Sequence, residues 1–92
     1  MIQTNTISLN YIKKEPLTGS FQGMRYRLAK VSDEMEVCFW PQPYNYSKTD
    51  SKDKTVRVFA LTSEGKEEAV IWLNEQYLEQ KSRWEQAMHS HL

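Results

Sequence analysis

The sequence has one cysteine, Cys38, so no intrachain disulfide can form and a reducing, cytoplasmic setting is expected. Neither sign of charge prevails. Twelve Lys and Arg face twelve Asp and Glu, which argues against a strong nucleic-acid or membrane-surface footprint from net charge alone. No apolar run approaches the ~18 residues of a membrane span. The start Met1-Ile2-Gln3-Thr4-Asn5 lacks the charged segment and apolar run of a signal peptide. Glycine and proline number three each, and there is no internal repeat or low-complexity tract.

Chemistry-bearing patterns are equally scarce. The two histidines, His89 and His91, sit near the C-terminus at i, i+2 and so on different helix faces. With a single cysteine, no zinc-ligand spacing exists and no metal is expected. Cys38 has no histidine upstream to act as its base. The acidic pairs Glu67/Glu68 and Asp50/Asp53 fall on a solvated helix turn and in a loop, not in a buried acid–base pair. Gly19 and Gly23 lead into no helix and form no phosphate cradle. The expectation is a non-enzymatic protein without a cofactor.

Periodicity indicates the architecture. Met1–Thr6 reads as loose. Ile7–Ile12 alternates, with Ile7, Leu9 and Tyr11 on one face, as in a strand. Pro16–Gly23 reads as a turn-rich connection. Met24–Leu28 alternates again, with Met24, Tyr26 and Leu28 opposite Arg25 and Arg27. After a turn at Ser32-Asp33-Glu34, Met35–Trp40 is a third strand whose Met35, Val37 and Phe39 face the core, and the two should form a hairpin. Pro41-Gln42-Pro43 ends it. Tyr44–Lys54 is polar and reads as a mobile loop, and Thr55–Leu61 is the fourth strand, with Val56, Val58 and Ala60 on one face and Arg57, Phe59 and Leu61 on the other.

From Thr62 to about Ser90 the chain reads as one amphipathic helix, capped by Thr62 or Ser63. Such a helix spans about 40 Å, against about 23 Å for seven-residue strands. It must kink or project. Its inner stripe is Ala69, Val70, Leu73, Tyr77, Trp84, Ala87 and Met88, with Gln80 and His91 in the same sector. The predicted fold is therefore α+β, a single domain over residues 1–92. It is a four-stranded antiparallel sheet in the order β-β-β-β-α, with one long C-terminal amphipathic helix packed on one face.

Four groups of residues are candidates for partner contact. Arg25, Arg27 and Arg57 would line the outer sheet face with Cys38, Trp40 and Phe59, where single-stranded nucleic acid could stack. Alternatively, Trp40 and Phe59 pair across strands beneath the arginines. Trp40, Tyr44 and Tyr46 belong to a proline-stiffened aromatic run that either anchors a partner or tucks back over the sheet edge. Ile71 and Leu78 lie opposite the inner stripe, either as scattered surface aliphatics or as a docking strip. Trp84 either folds back on the N-terminal residues or anchors an interface.

Charge is also segregated. Residues 1–57 hold nine basic against six acidic side chains, net +3, and residues 58–92 hold three against six, net −3. Either an acidic helix neutralises a basic sheet, or the basic face meets an acidic partner.

Tyr11-Ile12-Lys13-Lys14-Glu15, Thr18–Tyr26, Trp40-Pro41-Gln42-Pro43-Tyr44 and Glu64–Asn74 together resemble a group of short uncharacterised proteins from Gram-positive gut bacteria and their mobile elements. The resemblance covers most of the chain and brings no catalytic residue or cofactor with it. It implies an accessory binder, such as an anti-CRISPR or other anti-defence inhibitor of a host nuclease complex. A small nucleic-acid-binding accessory protein is the alternative. A regulatory subunit, or a homodimer formed through the C-terminal helix, is the third reading.

Overall fold

Gln22 and Gly23 both adopt positive φ, +44° and +94°. Two such residues in succession match the twist of a two-residue hairpin turn. They join β1 (Leu17–Phe21) to β2 (Met24–Val31), with Phe21 opposite Met24 and Leu17 opposite Leu28. Ser32, at φ +57°, helps turn β2 into β3 (Glu34–Pro41), with Val31 opposite Glu34. β4 (Thr55–Ala60) completes an antiparallel sheet in the order β1-β2-β3-β4. The computed structural model describes residues 2–42 and 46–89.

Two assignments near the N-terminus are corrected. Ile7–Ile12 is not a strand. Ser8 caps a short helix, α1 (Leu9–Lys14), by accepting from the Tyr11 amide at 3.2 Å. Within it Ile12 is buried against the sheet while Tyr11 stays exposed, so the alternation seen in the sequence is not the burial pattern. The first strand lies instead at Leu17–Phe21, inside the stretch that reads as a loop. β1 begins opposite Leu28, and α1 packs against β2. The N-terminal segment is also tied down. The Ile2 amide donates to Asn74 Oδ1 at 3.0 Å, and Asn74 Nδ2 donates to the Ile2 carbonyl at 3.1 Å. Lys66 Nζ donates to the Ile7 carbonyl at 3.0 Å, and Ile2 and Ile7 are both buried.

The C-terminal helix covers one face of the sheet but is broken. α2 (Ser63–Glu79) opens at Thr62, whose hydroxyl accepts from the Gly65 amide at 3.0 Å. It ends at Gln80, and α3 (Lys81–His89) follows. No proline or glycine marks the break. What holds it are side chains reaching across the joint. Gln80 donates to Gln76 and accepts from Arg83, both at 2.8 Å, and the Trp84 indole N–H points back to the Gln76 carbonyl at 3.4 Å. The predicted inner stripe is observed as far as Ala87, while Gln80 and Met88 are half-buried and His91 lies outside the described residues. Ala69, Val70, Leu73, Tyr77, Trp84 and Ala87 are buried on the sheet with Met24, Leu28, Met35, Val37 and Phe39.

Candidate binding surfaces

On the sheet face away from the helices, register places Ser20, Arg25 and Trp40 in one row and Thr18, Arg27, Cys38 and Val56 in the next. Arg25, Arg27, Cys38 and Trp40 therefore share the outer face, as the sequence implies. They do not form an open platform, however. Trp40 is only 2 % exposed and Cys38 only 1 %. The chain after β3 folds back across them through short 3₁₀ turns at Tyr46–Lys48 and Ser51–Asp53. Tyr46 meets Trp40 edge-on, with ring centroids 5.6 Å apart. Its ring carries two cations, Arg27 Cζ at 4.3 Å and Lys54 Nζ at 4.2 Å, and Lys54 also donates to the Tyr46 carbonyl at 3.1 Å. Arg83 of α3 ties down the far end by donating to the Asp53 carbonyl at 2.9 Å. Residues 46–54 are thus a fitted cover over the outer face. Tyr44 lies outside the described residues.

This cover controls the thiol beneath it. Burial pushes Cys38 from its ordinary 9.0 up to about 11. The nearby Glu36 carboxylate adds to the rise, while the positive charges of Lys54 and Arg27 oppose it. At pH 8 only about a thousandth of the thiol is ionised. We expect iodoacetamide to leave Cys38 unmodified in the native protein at pH 8 and to modify it at once in denaturant, as read by intact mass. The folded state favours the protonated thiol, so this contribution to stability is full below pH 9 and is lost as pH rises towards 11. Tyr26, whose phenol burial also pushes up from 10.0, adds in the same direction at higher pH. The melting temperature should therefore fall through this window, and Cys38→Ala should remove the lower part of the fall.

Arg57 and Phe59 are corrected to the opposite face. Val37 pairs with Arg57 and Met35 with Phe59, so both β4 residues lie on the helix side. Phe59 is buried there against Trp72, with centroids 5.6 Å apart. Arg57 covers the pair, 5.0 Å from the Phe59 ring and 5.9 Å from that of Trp72. Alternation in β4 favours Val56, Val58 and Ala60 as the core face, but the larger Phe59 takes the buried side with Arg57 over it, because the aromatic removes more apolar surface from water. Arg25, Arg27 and Arg57 therefore do not share a face, and Trp40 and Phe59 do not pair.

The same inversion turns Val56 and Val58 outward, 50 % and 51 % exposed. β4 ends the sheet on this side, and five of its six residues are exposed. Sequence reasoning missed this surface because Val56 and Val58 match a core face as well as a solvent face. On α2, Ile71 and Leu78 stand in solvent, each 57 % exposed, away from the buried stripe. Trp84 is not available to a partner. It is fully buried, edge-on to Phe39 at 5.7 Å, in the core that also holds Ile2 and Ile7.

Among the described residues no helix is long and apolar enough to cross a membrane, and no group of three or more His, Cys, Asp or Glu could hold a metal ion. The chain matches no protein-family model, no curated protein and no solved structure.

Proposed function

We propose that the protein is a non-enzymatic binding module that takes an extended segment of another protein along the free edge of β4. One observation carries this reading: an edge strand rich in β-branched residues whose solvent side is Val56 and Val58, both half exposed. An open edge offers unpaired backbone N–H and C=O groups to a further strand, and exposed β-branched side chains supply the apolar contacts that fix its register. Arg57 does not block the edge, because its guanidinium lies over Phe59 and Trp72 on the helix side. The resemblance to short proteins of mobile elements makes a host defence nuclease complex, in the cytoplasm, the partner class to test first.

The test is a pull-down from bacterial lysate treated with nuclease, using the native chain and two double variants. The native chain should retain one dominant protein. Val56→Lys/Val58→Lys should lose it, with affinity falling about tenfold or more and the fold unchanged by circular dichroism. Ile71→Glu/Leu78→Glu should keep it. The opposite pattern would place the interface on α2 and overturn the edge reading. Proteins that vanish with nuclease would transfer the function to nucleic-acid binding.

A further inference from the structure

The outer face carries a second feature, on the β1 side and distinct from the β4 edge. The four arginines of the chain differ in what satisfies them. Arg27 lies on Tyr46, Arg57 covers Phe59 and Trp72, and Arg83 donates to Gln80 and to the Asp53 carbonyl. Arg25 has no such partner among the described residues, and its Nε is enclosed without an acceptor. An enclosed guanidinium N–H without an acceptor is costly, which leaves the charge of Arg25 to be met through its Nη groups.

Arg25 also borders a cavity of about 210 Å³. Ser20 stands directly across β1 from it and Trp40 directly across β3, so the row Ser20–Arg25–Trp40 forms the floor. Thr18 and Ser20 bring two exposed hydroxyls from the edge strand, and Tyr46 closes the side opposite them. Arg27 and Lys54, both drawn to the Tyr46 ring, keep the surroundings positive.

We propose that this cavity binds the oxyanion group of a small ligand, a carboxylate or a phosphate. Two of the ligand's oxygens take the two Nη groups of the Arg25 guanidinium end-on, since its Nε is itself enclosed. The hydroxyls of Thr18 and Ser20 donate to the remaining lone pairs. The space exceeds what a bare inorganic ion fills and is smaller than the roughly 300–1,000 Å³ of drug-sized pockets. The rest of a small organic acid would lie along Tyr46.

The experiment is a two-dimensional NMR titration of the full chain with sodium phosphate, sodium acetate and sodium benzoate, each at constant ionic strength against sodium chloride. Saturable shifts centred on Thr18, Ser20 and Arg25 are expected with at least one of the three. Arg25→Gln should weaken the binding about tenfold or more, and Ser20→Ala about threefold, because a charged donor contributes more than a neutral one. Phosphate alone would mark the source as an inorganic or ester phosphate, and benzoate with acetate would mark it as an organic acid. Shifts reproduced by chloride, no saturable shift, or equal affinity in Arg25→Gln would overturn the proposal. If Arg25→Gln does not fold, Ser20→Ala decides, since Ser20 is exposed on an edge strand and its loss leaves the core intact.

Discussion

Replacing Trp84 with alanine is expected to cost about 3–5 kcal/mol, the range for deleting a large aromatic from a packed core. That is a large share of the roughly 5–15 kcal/mol available to a small domain. Trp84 is wholly enclosed, and its ring meets Phe39 at 83°. It carries Arg83 above it at 4.9 Å, and its indole N–H reaches the Gln76 carbonyl. It is thus both core residue and hinge pin. Without it, the break at Gln80 loses the contact that turns α3 onto the sheet, and the Arg83 bond to the Asp53 carbonyl has nothing to position it. Urea denaturation should show the full loss. Limited proteolysis should cut first around residues 80–89, before the sheet opens. Trp84→Phe keeps most of the packing but not the N–H, and should recover more than half of the stability. A loss below about 1 kcal/mol for Trp84→Ala would mean that α3 is a loosely attached appendage.

Gly65→Ala should also destabilise, against the usual trend. Inside an exposed helix, alanine is better than glycine by about 0.5–1 kcal/mol. Here an added Cβ would overlap the Ala60 carbonyl oxygen and come within 2.7 Å of its carbon and 3.1 Å of its Cα. All three are backbone atoms, so no side-chain rotation relieves the overlap. The first turn of α2 would have to lift from the end of β4. Overpacking of this kind costs about 1–3 kcal/mol or more, which outweighs the propensity gain. The net expectation is a loss of about 2 kcal/mol, a fall of roughly 10 °C in melting temperature for a domain of this size. A rise in melting temperature would show that the β4–α2 junction has slack.

The parts of the fold that were legible in the sequence are those where one period clearly dominates. β2 alternates cleanly over Met24–Leu28, and the buried residues of α2 recur at helical spacing, so both appear as expected; β3 is apolar throughout Val37–Trp40, and its faces follow from its pairing with β2. β1 was hidden because Gly19 and Gly23 look like loop punctuation. In fact Gly23 supplies the second positive φ of a tight turn, and Gly19 leaves room for the Tyr26 ring across the strand. Ile7–Ile12 misled because its alternation competes with a serine cap, and the cap decides the local structure. The helix break was hidden because no residue type there signals one. It arises from burial of Trp84, a tertiary effect.

The candidate surfaces divide in the same way. Placement of Arg25, Arg27 and Trp40 on one face follows from strand alternation alone. Their covering by Tyr46 depends on where a polar segment comes to rest, and no local pattern records that. Alternation points the valines of β4 inward and Arg57 outward, and the structure reverses both. The choice was made by the bulk of Phe59 and the position of Trp72, which sit on different elements.

The sheet order follows the chain order, and this has a consequence during synthesis. Each strand can pair with its predecessor as soon as it leaves the ribosome, because every connection is to a neighbour. The apolar face formed by Met24, Leu28, Met35, Val37 and Phe39 gains its lid only when α2 emerges. The two-point clasp of Asn74 on Ile2 joins residues 72 positions apart and must wait as well. At ~5–20 residues per second, the last third of the chain takes about 2–6 s to appear. For that interval the nascent protein is a bare half-sandwich, open to chaperones and to its own kind. A chain truncated after Leu61 would leave that state permanent.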